Sequence, residues 1–161
     1  MSAPDPTMAD VAAAVQAGRD GRRAEARERL TALWERLGPE GDPLDRVTVA
    51  HFLADLQDDA RDELAWDERA LAAAGDLTDD RGHQQHAGSQ VRGFLPSLHL
   101  NLADVHRRLG NEPAAREHLA AADASAPDLP GGDYGDLIRS GLEHVRAAID
   151  RGSTDRLPTA P

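Results

Sequence analysis

The chain has 161 residues, 40% of them hydrophobic and 29% charged, with a net charge of −11, 18 basic residues and no cysteine. Such a length builds one packed domain rather than several, and without cysteine there are neither disulfides nor thiolate metal sites. The acidic balance has the wrong sign for attraction to nucleic-acid phosphates, so no nucleic-acid partner is expected.

Apolar residues recur every three or four positions over most of the chain, and no alternating Val, Ile or Thr run argues for strands. The fold class is therefore all-α. Residues 1–6 are expected to be disordered. A first helix over 7–17 stops at Gly18, and a second over 22–37 ends at the breakers Gly38, Pro39, Gly41 and Pro43. A third covers 44–57, with Val47, Ala50, Leu53, Ala54 and Gln57 on one face, and a fourth covers 60–74, stopped by Gly75. Residues 76–93 lack apolar periodicity and read as a long loop. Helices over 94–109 and 112–124 then form a hairpin around Gly110 and Asn111, a final helix spans 134–150, and 151–161 reads as a flexible tail.

Helix pairs of similar length point to a repeat. Within 96–127, Leu102, Ala103, His106, Gly110, Ala115, Leu119, Ala122 and Pro127 stand at spacings that resemble the tetratricopeptide repeat, a helical hairpin of about 34 residues. In the same register Ala14, Gly21, Ala26 and Leu30 take the small, turn, small and large roles of a first repeat at about 7–40. A degenerate second repeat fits 44–77, where Asp58 replaces the turn glycine and Glu63 the second small residue. The resemblance implies a right-handed α-solenoid of three hairpins over 7–150, with repeats at about 7–40, 44–77 and 96–129 and 134–150 as a capping helix.

It also implies a function. First helices of such hairpins line a concave groove that takes a peptide or a partner's helix, and catalysis is not expected. Carried onto this chain, the groove pattern falls on Met8, Val11 and Val15, then Thr48, Phe52 and Asp55, then Ser97, Leu100, Asn101, Asp104 and Arg108. Of the basic clamp with which chaperone-binding relatives grip a terminal carboxylate, only Asn101 is present, so chaperone docking is not expected. The apolar floor of Val11, Val15 and Phe52 beside Asp55 and Asp104 suits an amphipathic helix with basic edges; alternatively, Phe52 packs inward between hairpins. A second copy of the chain filling the groove is a further possibility.

Seven histidines raise the alternative of a small metal sensor or enzyme, using His83 and His86 of the loop and a groove carboxylate such as Asp104. Two imidazoles on a loop fall short of the three or four fixed ligands a zinc site needs. His99 and His106, seven residues apart, read as histidines satisfied between helices. No catalytic signature or phosphate loop occurs, and no metal or cofactor is expected. Residues 45–80 carry 11 acids against three arginines, nearly the whole charge excess, with Asp59, Glu63 and Asp67 along one helical line that reads as a solvated face. No run of about 18 apolar residues could span a bilayer, and the start MSAPDPTMAD lacks the parts of a secretory signal, so a cytoplasmic protein without a membrane partner is expected. Lysine is absent and alanine abundant, the usage of a GC-rich bacterial genome.

Overall fold

The computed structural model describes residues 6–79 and 85–158. Seven α-helices follow one another: α1 (Pro6–Arg19), α2 (Arg23–Leu37), α3 (Pro43–Asp55), α4 (Ala60–Asp79), α5 (Gln85–Arg108), α6 (Glu112–Ser125) and α7 (Asp133–Asp150), with a 3-10 turn at Ala126–Asp128. There is no strand among the described residues, as the periodicity predicts. The helices gather into two compact units, residues 1–82 and 83–161.

In the first unit α1 packs on α2, α2 on α3 and α3 on α4, and α1 also meets α3. The capping chemistry is local. Asp42 accepts the Leu44 and Asp45 backbone N–H groups at 2.9 and 3.3 Å and so starts α3, with Pro43 in the first turn, where its missing N–H costs nothing. Asp59 does the same for α4, accepting from the N–H groups of Arg61 and Asp62 at 2.7 and 3.3 Å. Val11, Ala14, Leu30, Leu33, Val49 and Leu53 form one core cluster. Leu30 and Leu53 are fully buried, each worth about 1.5–3 kcal/mol relative to exposure. Trp34 and Trp66, partly buried, pack on this cluster and meet edge to face at 5.4 Å and 87°.

The turn that lacks a glycine has a charge anchor instead. Asp58 accepts from Arg23 and Arg27 of α2 at 3.4 and 3.0 Å, and these guanidinium groups, Arg27 first, hold its carboxyl below the ordinary range. The predicted acidic line stays in water only at its start. Asp59 is exposed, whereas Glu63 is half-buried and Asp67 fully buried, because α4 turns that end of the line toward its neighbours.

In the second unit α5 and α6 form the hairpin predicted around Gly110, and α7 packs against both. Gly110 has φ +81°, a left-handed conformation that favours glycine, and the next residue's N–H reaches His106 O at 2.8 Å. Ala103 and Ala115, the two small residues of the repeat-like pattern, are fully buried in a cluster with Leu119, Ile138, Leu142 and Val145.

The predicted loop at 76–93 is largely helical. α4 continues to Asp79 and α5 begins at Gln85, so Gly75 does not act as a stop; no Cβ-sized neighbour lies near it, and one helical glycine costs only about 1 kcal/mol. Residues 80–84, residues 1–5 and the last three tail residues lie outside the described set, whereas Pro6, the last residue of the stretch 1–6 expected to be disordered, opens α1. Within the tail, Leu157 packs on the apolar cluster of the second unit.

Candidate binding groove

The predicted groove drew on residues of both units, and each set is described within its own unit. In the first, Val11 and Thr48 are buried, and Thr48 Oγ1 donates to Leu44 O at 2.8 Å. Val15 and Phe52 are half-buried and pack on the core cluster, so the Phe52 ring serves the hairpin packing. Met8 is 41% exposed. Asp55 is exposed, and water damps the upward push of the surrounding protein on its carboxyl, which His51 and Arg23 also oppose.

The second unit holds a true concavity. Between α5 and α7 lies a groove of about 780 Å³ whose α5 wall contains Leu100, Asn101 and Asp104, three of the predicted residues. The α7 wall contributes Leu137, Ile138, Ser140, Gly141, His144 and Val145. Gly141 sets the approach of the two helices, since a Cβ there would stand 2.8 Å from Leu100 Cδ2. Leu137 is 55% exposed, an unusual cost for a leucine beside other apolar groups, and nearby in sequence Tyr134 is 43% exposed. The sequence reading treated 134–150 as a cap and so missed this wall. Its signal was available in the apolar positions Leu137, Ile138, Leu142 and Val145, which exceed what one buried stripe needs.

Asp104 is not a free groove carboxylate. Its Oδ1 accepts from Arg107 Nε and Nη2 at 3.1 and 2.6 Å, and its Oδ2 from Arg108 Nε at 2.9 Å. Arg107 is itself buried and donates through Nη1 to Ser153 O at 2.7 Å, tying the segment after α7 to α5. Both predicted charged residues, Asp104 and Arg108, therefore serve an internal charge network. The remaining predicted residue, Ser97, is buried, while the Asn101 side chain makes no hydrogen bond among the described residues.

Three histidines meet between α5 and α6. His99 Nδ1 and His118 Nδ1 stand 3.1 Å apart, so one ring's N–H donates to the other, and the two rings stack at 5.4 Å. His106 also stacks on His118, at 5.4 Å and nearly parallel at 7°. Burial, and after it the charge of a protonated His118, push His99 below the ordinary imidazole value. The interhelical reading of His99 and His106 thus has a partner that sequence spacing within one helix does not reveal. Among the described residues no group of three or more His, Asp or Glu side chains is arranged to hold a metal ion. His83 lies outside the described residues, and so does the side chain of His86. No helix among the described residues is long and apolar enough to cross a membrane. No protein-family model, curated protein or solved structure matches the chain.

Proposed function

We propose that the chain is a non-catalytic interaction module that holds a peptide or helix of a protein partner in a groove between helical hairpins, as its resemblance to tetratricopeptide repeats implies. The observation that carries this reading is the α5–α7 groove, about 780 Å³ in volume, with an apolar floor and few polar groups at its walls. A groove with Ile138 and Val145 buried in it and Leu137 exposed beside them suits an apolar peptide or helix side better than a small polar metabolite. Asp104, at the α5 wall, is already paired with Arg107 and Arg108.

A photo-cross-linking side chain placed at Leu137 tests this directly. In source cells it should capture a defined protein, with the cross-linked peptide mapping to one segment of that partner, and an added Leu100→Glu change should abolish capture while circular dichroism stays helical. Equal capture from an exposed control position such as Arg139, or capture that survives Leu100→Glu, would remove the groove as the binding site.

A further inference from the structure

One side of the groove is formed by the segment that follows α7. After α7, the Ser153 N–H donates to Ala148 O at 3.0 Å and the Ser153 carbonyl accepts from Arg107 at 2.7 Å, which fixes the start of the segment. From there the chain runs to Leu157 and Pro158, both of which line the groove, and Leu157 packs on the apolar cluster of α5, α6 and α7. Beyond Ser153 the only hydrogen bond among the described residues is internal, from Asp155 N–H to Ser153 Oγ at 3.3 Å. Thr154, Asp155, Arg156 and Pro158 are exposed and Leu157 is half-buried. The strap is thus tethered firmly at one end and held at the other by a leucine and a proline alone.

We propose that the strap 153–158 is a displaceable internal ligand, and that the groove recognises extended segments of the same kind, with a leucine followed by a proline. This rests on the reading of the α5–α7 groove as a binding site. Proline pre-orders an extended backbone and so lowers the ordering cost of binding, and leucine supplies the buried apolar group. A partner segment carrying this pair takes the place of Leu157 and Pro158, while the bond between Arg107 and Ser153 keeps the displaced strap nearby. The strap's presence reduces the groove's apparent affinity by the fraction of time it is seated.

The test uses a fluorescein-labelled synthetic peptide with the sequence of residues 153–161, titrated by anisotropy into the full-length chain and into full-length Leu157→Ser and Leu157→Glu variants. Both variants should remain helical, bind the peptide and do so at least tenfold more tightly than the unaltered chain. The same peptide with glutamate in place of its leucine should not bind. No binding to either variant overturns the proposal, as does equal affinity for variant and unaltered chain, since the strap would then not compete. Loss of helix in both variants also overturns it, because Leu157 would then belong to the core rather than to a ligand. A protein captured at Leu137 alongside a failed peptide titration would leave the groove reading standing and remove only the strap.

Discussion

Arg107→Met is the sharpest test of the second unit's internal order. The substitution keeps an unbranched apolar stem in a site that is 3% exposed while removing the charge and all donors. Two acceptors lose a partner. The Ser153 carbonyl loses a 2.7 Å bond from a charged donor, worth about 1.5 kcal/mol at the lower end for such bonds. Asp104 loses two bonds but keeps Arg108 at 2.9 Å and is 24% exposed to water, so its loss is also near the lower end, about 1.5 kcal/mol. The sum is about 3 kcal/mol, or roughly 2 M in urea midpoint for a slope of about 1.5 kcal/mol/M. Both tryptophans lie in the first unit, so unfolding of the second is better followed by amide hydrogen exchange or circular dichroism than by indole fluorescence. Arg146→Met is the matched control. Arg146 grips Asp123 with two bonds at 2.6 and 2.7 Å, yet its side chain is 41% exposed, and its loss should cost at most about 1 kcal/mol. A cost below about 1 kcal/mol for Arg107→Met, or an equal cost for both, would refute the claim that burial decides what these pairs contribute.

Acid should destabilise both units. Burial lowers the affinity of native His99 and His51 for a proton, so the unfolded chain binds more protons; stability is full above the ordinary imidazole value near 6.5 and falls as pH drops from there toward the depressed native values. Urea titrations at pH 7.5 and 5.5 should show this, and His99→Phe should flatten the dependence in exchange of second-unit amides; an unchanged slope would count against the histidine stack as its source. Gly110→Ala should cost about 1–2 kcal/mol in thermal or urea unfolding, because a side chain at φ +81° is strained although no atom crowds its Cβ. Gly75→Ala in α4 should have the opposite sign, a gain of up to about 1 kcal/mol, and a loss there would mean that α4 does not continue past this position. Trp34→Leu, Trp66→Leu and the double variant, followed by circular dichroism, should give a coupling of about 0.5–1.5 kcal/mol from the edge-to-face pair; additivity within about 0.3 kcal/mol would deny it.

The helices were readable because their signals are local. A 3.6-residue apolar period, breakers such as Gly18, Gly38 and Pro39, and Gly110 at a turn act within a few residues, so all seven helices could be placed before any packing was known. The segment 76–93 failed for the complementary reason. It has no apolar stripe, and its helix extends from the flanking turns, which propagate cheaply once nucleated.

The candidate site was only half visible. The resemblance to tetratricopeptide repeats implied that Leu100, Asn101 and Asp104 line a groove, but the opposing wall, with Leu137, Gly141 and His144, belongs to a helix whose direction of approach no spacing rule specifies. The same limit explains the charges. Sequence alone determined an acidic, arginine-only, all-helical chain with small residues at Ala103 and Ala115 where a hairpin closes. Tertiary structure decided that Asp67 is buried, that Asp104 belongs to Arg107 and Arg108, that His118 completes a stack with His99 and His106, and that Leu157 folds back into the groove. Periodicity reports which side of a helix is apolar, whereas burial and pairing depend on which distant helix that side meets, and that is a property of the packed molecule.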